Sequence, residues 1–122
     1  MKNVLVVDDS RLMRTLVKTA FRESRIEASF YEASNGIEAL KLLSEHSINL
    51  VLLDWNMPQL SGLEFLKEVR SQEIYIKLPI IMITSEAARY NVVEAIKAGV
   101  TSYLIKPLDK NAFTKALNSI SF

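Results

Sequence analysis

No cysteine occurs anywhere in the 122 residues. That absence removes disulfide frameworks, thiolate zinc sites and cysteine nucleophiles together, and fits a reducing compartment such as the cytosol. Glycine is scarce, and Gly36, Gly62 and Gly99 form no phosphate-cradling loop. Neither sign of charge prevails: fifteen basic residues face fourteen acidic ones, for a formal charge of +1. No broad field therefore draws the chain onto nucleic acid or anionic lipid, and any partner must be recognised locally. Long hydrophobic runs are missing too, since none approaches the roughly 20 residues that span a bilayer. Residues 4–7 are too short for a signal-peptide core and are followed at once by Asp8 and Asp9. These absences lead us to expect a cytoplasmic monomer that neither inserts into membranes nor binds nucleic acid.

What is present is a core. With 49% apolar and 24% charged residues, the chain suits one domain able to fold alone. Residues 4–7, 30–33, 50–53, 80–83 and 103–105 are short β-branched, aromatic or leucine-rich runs, and they read as five strands. Most are continuously apolar, the mark of a parallel sheet covered on both faces. Helical periodicity fills the gaps. Leu12, Met13, Leu16, Val17, Ala20 and Phe21 predict one buried face, and Ala112, Phe113, Ala116, Leu117 and Ile120 another. Asn35 with Glu38 and Ser61 with Glu64 mark helix starts, the second pair as a capping box. Gly99 suits a left-handed helix end, and Pro79 and Pro107 punctuate the chain beside the last two strands. A β–α unit repeated five times predicts an α/β fold, a three-layer doubly wound five-stranded parallel sheet with right-handed crossovers. One domain over residues 1–122 is expected, with no linker, no repeat and no attached output domain.

In a parallel sheet the residues that close the strands share one edge, where ligands of open α/β sheets bind. Here Asp8 and Asp9 close the first strand, Asp54 the third, Thr84 the fourth and Lys106 the fifth. Each feature alone has an ordinary explanation: Asp8, Asp9 and Ser10 could merely cap a helix, and Asp54 before Asn56, Met57 and Pro58 could be turn chemistry. Together they carry a resemblance. Val7-Asp8-Asp9-Ser10, Asp54-Trp55-Asn56-Met57-Pro58, Ile83-Thr84-Ser85-Glu86 and Lys106-Pro107 are similar to the four signature segments of response-regulator receiver domains, nearest to the single-domain chemotaxis members, and the likeness spans the chain. The resemblance implies the flavodoxin-like strand order 2-1-3-4-5, which spacing cannot supply. It also implies one crevice holding Asp8, Asp9 and Asp54.

Three carboxylates in one crevice repel unless a cation intervenes, and oxygen donors without histidine or cysteine favour Mg²⁺. The resemblance implies that ion too, bound by Asp9 and Asp54, by Asp8 through water, and by the backbone carbonyl of Asn56. Carboxylates can act as nucleophiles toward phosphorus, and Asp54 is the candidate acceptor. Phosphoryl transfer needs positioned charge more than an acid or base, which Lys106 and the Thr84 hydroxyl can supply. By family likeness Thr84 and Tyr103 form the switch: Thr84 moves toward the phosphate, Tyr103 turns inward, and the face made by the fourth helix, fifth strand and fifth helix is reshaped. Asn56 and Glu86 flank the path of the hydrolytic water, and their identities imply rapid hydrolysis. The implied donor is a histidine kinase, the implied target a flagellar motor switch, and a phosphatase is a further partner. A phosphorelay intermediate outside chemotaxis is the alternative.

A haloacid-dehalogenase-type phosphatase also uses a strand-ending aspartate with Mg²⁺, but it needs an acid at position 56, where Asn56 cannot donate and recover a proton. Trp55 reads equally well as partly exposed or as core. His46, the sole histidine, reads as a solvated surface residue, and Tyr90 and Lys97 are candidates for target contact. Leu108 stands where many relatives carry phenylalanine.

Overall fold

The computed structural model describes residues 1–120. Its elements run β1 (Lys2–Val7), α1 (Arg11–Glu23), β2 (Ala28–Ala33), α2 (Gly36–Glu45), β3 (Leu50–Leu53), α3 (Gly62–Arg70), a 3-10 turn over Glu73–Tyr75, β4 (Ile80–Thr84), α4 (Arg89–Lys97), β5 (Ser102–Ile105) and α5 (Lys110–Asn118). The sheet is wholly parallel in the order β2-β1-β3-β4-β5, with Leu5 opposite Tyr31 and Val51, and Met82 opposite Tyr103. This is the predicted doubly wound sheet. Four strands include polar residues that the apolar runs did not mark, such as Lys2, Asn3, Ser29, Thr84 and Ser102. Ladder bonds use the backbone, so side-chain polarity does not end a strand.

Alternate strand residues point to opposite faces, which divides the core in two. On one face Leu5, Val7, Val51, Leu53, Ile80 and Met82 pack with Ala39 and Leu43 of α2, Phe65, Leu66 and Val69 of α3, and Ala95 of α4. On the other Val4, Val6, Leu50, Leu52, Ile81 and Ile83 pack with Val17 and Phe21 of α1 and with Phe113, Ala116 and Leu117 of α5. The continuous apolar runs are thus two alternating patterns superposed, each with its own helical cover.

The expected caps are present. Ser61 Oγ accepts from the Glu64 backbone N–H at 3.2 Å while the Ser61 N–H donates to Glu64 Oε1 at 3.0 Å. Such a box contributes about 1 kcal/mol. It also fixes where α3 begins, directly after the loop that carries Asp54. Asn35 caps α2 through the Glu38 N–H at 2.8 Å, but the Glu38 carboxylate reaches Ser34 and not the cap residue itself. Gly99 has φ +98°, the left-handed position that ends α4.

Two expectations need correction. The six apolar positions of α1 do not form one buried face: Val17 and Phe21 are buried, whereas Leu12 and Leu16 are 68% and 49% exposed. At about 100° per residue those six span roughly half the helix circumference, wider than the sheet and α5 can cover. His46 is not simply solvated. It is half-buried at the end of α2, with its ring stacked on Tyr31 of β2 at 4.2 Å.

Candidate functional site

Backbone bonds carry the sheet ladder one step past three strands and so set the positions of the polar residues there. Asp8 N–H donates to Ala33 O at 3.0 Å, Asp54 N–H to Val7 O at 2.9 Å, and Lys106 N–H to Thr84 O at 2.9 Å. Each side chain is therefore fixed by a neighbouring strand. The carboxylates of Asp8, Asp9 and Asp54 converge until one oxygen of each lies within 4.8 Å of the others. Lys106 Nζ stands 2.9 Å from Asp8 Oδ2 and 3.5 Å from Asp54 Oδ2. The Lys106–Pro107 peptide bond is cis.

Asp8 and Asp54 are almost wholly buried, while Asp9 is exposed at the mouth. Asp8 Oδ1 accepts from the Ser10 N–H at 2.9 Å, and Asp54 Oδ1 from the Trp55 N–H at 2.8 Å. The Thr84 hydroxyl, fully buried, accepts from the Glu86 N–H at 3.2 Å and lowers the Asp54 pKa from beside it. Burial first, and the Asp8 anion second, push the Asp54 carboxyl above its ordinary range, against Lys106, Thr84 and the Trp55 N–H. An acid cluster in this condition calls for a cation. Hard oxygen donors of this number and spacing, with no nitrogen or sulfur ligand, fit a divalent ion of the magnesium type.

A carboxyl with a raised folded-state pKa binds more protons folded than unfolded, so stability falls as pH rises through that interval. Asp54→Asn is neutral at every pH. Without divalent cations it should melt several degrees above wild type at neutral pH, and the gain should vanish below the ordinary carboxylate range, where Asp54 is protonated in both states. Thermal melts at the two pH values check this.

At the rim, Asn56 Nδ2 donates to Glu86 Oε1 at 2.7 Å and Asn91 Nδ2 of α4 to Glu86 Oε2 at 3.2 Å. The first of these bonds ties the Asn56 side chain to Glu86 through its amide nitrogen. Tyr103 packs its ring against the core and donates its hydroxyl to the Glu86 carbonyl at 2.5 Å. Burial, then the Glu86 and Asp54 charges, raise that phenol's pKa. The structure therefore brings Asp8, Asp9, Asp54, Thr84 and Lys106 together, with Asn56, Glu86 and Tyr103 in a ring outside them. Trp55 is partly exposed beside Asp54.

Two contributors carry no signal in the spacing. Gly62 packs against the Asp54 backbone so closely that no side chain fits, and its N–H donates to Trp55 O at 2.8 Å. Arg14 Nη1 donates to the Asp8 carbonyl at 2.6 Å. The only hint of the first was a glycine opening a helix soon after Asp54; for the second there was none.

The response regulator receiver domain family matches residues 4–118. A chemotaxis protein CheY homolog of Campylobacter jejuni is 37% identical over 118 residues, covering 96% of this chain and 90% of that one. The solved chemotaxis protein CheY4 of Vibrio cholerae superposes with a TM-score of 0.85 at 32% identity, covering 99% of both chains. The receiver domain of a sensor histidine kinase from Pseudomonas aeruginosa, solved with a magnesium ion coordinated in its active-site cleft, gives 0.83 at 25% identity over 96% of this chain and 94% of that one.

Proposed function

Because the chain belongs to the response regulator receiver domain family, we propose that it is a two-component phosphorylation switch of the chemotaxis type, accepting a phosphoryl group on Asp54 from a histidine kinase. The observation that carries this reading is the buried Asp54 carboxylate, with Lys106 Nζ 3.5 Å from Oδ2 and two further acids within 4.8 Å. A carboxylate oxygen of Asp54 attacks phosphorus, the P–N bond of the phosphohistidine breaks, and the imidazole is released and protonated. Lys106 sits where it can neutralise a phosphoryl oxygen, and the Thr84 hydroxyl can donate its proton in a hydrogen bond to that group. Asp8, Asp9, Asp54 and the Asn56 carbonyl would hold Mg²⁺. That ion would screen the acids and the incoming phosphoryl oxygens from one another. The chain thus promotes its own phosphorylation and, through Asn56 and Glu86 beside the opening, sets its own hydrolysis, with no separate substrate to turn over.

The output follows from how α4 is held. Its N-cap Ala88 makes no side-chain capping bond, and the helix buries only Ala95. So lightly anchored a helix shifts at small cost. It exposes Tyr90 (73%), Val93 and Ile96 (62%) at three-residue spacing. This apolar strip suits a helical segment of a target, here the flagellar motor switch. Tyr103 and Glu86 link the strip to Thr84: the Tyr103 hydroxyl donates to the Glu86 carbonyl and the Glu86 N–H to the Thr84 hydroxyl. Among the described residues no helix is long and apolar enough to cross a membrane; a carrier of the signal between kinase and motor switch acts in the cytoplasm.

Fluorescence of Trp55, the one tryptophan, tests the reading. Mg²⁺ followed by a small acyl phosphate should change the emission in two steps. Asp54→Asn should lose the second, and an intact second step in that variant would refute the acceptor assignment.

A further inference from the structure

Arg14 connects two parts of the molecule. Its Nη1 donates to the Asp8 backbone carbonyl at 2.6 Å, and its Nε donates to Glu32 Oε1 on the edge strand β2 at 3.0 Å. The other carboxylate oxygen of Glu32 accepts from Lys18 Nζ at 2.8 Å. Lys18 first, and Arg14 after it, hold the Glu32 carboxyl below the usual range, so it is charged at neutral pH. As a surface ion pair on a side chain 37% exposed, this contact adds little stability.

Its geometry matters more. The Arg14 side chain is only 15% exposed and already touches the residue that carries one of the three converging acids. A guanidinium offers five donors in a planar fork suited to carboxylates. Released from Glu32, it is a monovalent competitor within reach of the acid cluster, as Lys106 already is on Asp8.

We propose that Glu32 is a positioning residue that restrains Arg14, keeping its guanidinium off the acidic cluster so that the carboxylates stay open to a divalent cation. The inference rests on the reading of those acids as a Mg²⁺ site.

The test is a double-mutant cycle read by Mg²⁺ titration of Trp55 fluorescence in the full chain. Glu32→Gln should weaken Mg²⁺ binding roughly three- to tenfold. In an Arg14→Met background the same substitution should have no effect, because the competitor is gone. In a Lys18→Met background, which removes the other cation on Glu32 but not the one near Asp8, the weakening should persist. Equal weakening with and without Arg14 would mean simple loss of a distant anion, and overturns the proposal; so does an unchanged affinity in Glu32→Gln. Thermal melts accompany each variant, and Glu32→Thr, a better strand former, replaces Glu32→Gln if the latter melts early. A wild-type chain that binds no Mg²⁺ would defeat the proposed function itself. A wild-type chain that binds it with a flat cycle would defeat only this inference.

Discussion

Lys106→Met should move two measurements in opposite directions, binding Mg²⁺ several-fold more tightly while accepting phosphate from a small acyl donor on the order of 10²-fold more slowly. The ammonium lies 2.9 Å from Asp8 and 3.5 Å from Asp54, so it already neutralises part of the charge that a divalent ion would meet. Removing it leaves two buried carboxylates short of a cation, which raises affinity for Mg²⁺ and lowers stability in its absence. The same removal takes away the point charge placed for a phosphoryl oxygen. Methionine keeps most of the side-chain length, so the loss is one of charge and not of packing. Titration and stopped-flow fluorescence on one preparation separate the effects. Faster phosphorylation, or weaker Mg²⁺ binding, would contradict the assigned role.

Gly62→Ala should be the most damaging single-methyl change near the site. A β-carbon there would overlap the Asp54 carbonyl oxygen and lie 2.9 Å from the Asp54 carbonyl carbon and the Trp55 Cα. These are backbone atoms at the end of a central strand and cannot rotate away as a side chain would. Either α3 moves outward, breaking the 2.8 Å bond from the Gly62 N–H to Trp55 O, or Asp54 shifts. Overpacking of this kind costs about 1–3 kcal/mol or more. A displacement of the acceptor by about 1 Å can cost 10²-fold in rate. Denaturant unfolding should show the first effect, and phosphorylation of the fraction that remains folded the second. A fully active, equally stable variant would show that the α3 start does not fix Asp54.

The contrast between these residues shows what the sequence made legible. Asp8, Asp54, Thr84 and Lys106 stood out because each is a polar stop after a continuously apolar run, and parallel strands deliver such stops to one edge. The lateral order of the strands was not in the spacing; it came with the family resemblance, because crossover lengths permit several orders. Gly62 was legible as a helix start but not as a contact, since its close approach to Asp54 depends on the angle at which α3 packs. Arg14 and Glu32 were opaque for a related reason: they lie on different elements and meet only once β2 pairs with β1. The exposure of Leu12 and Leu16 shows that an apolar stripe reports what can be buried, not how wide the partner surface is. The stacking of His46 on Tyr31 likewise arises from the neighbouring of α2 and β2, which no local pattern encodes.

The most direct test asks which atom carries the phosphoryl group. After incubation with Mg²⁺ and a small acyl phosphate, borohydride reduction converts an aspartyl phosphate to homoserine, and peptide mass spectrometry locates it. Homoserine at position 54, and none when Mg²⁺ is withheld, is the result expected here. Homoserine at position 8 or 9, or labelling of 54 that is indifferent to the metal, would contradict it.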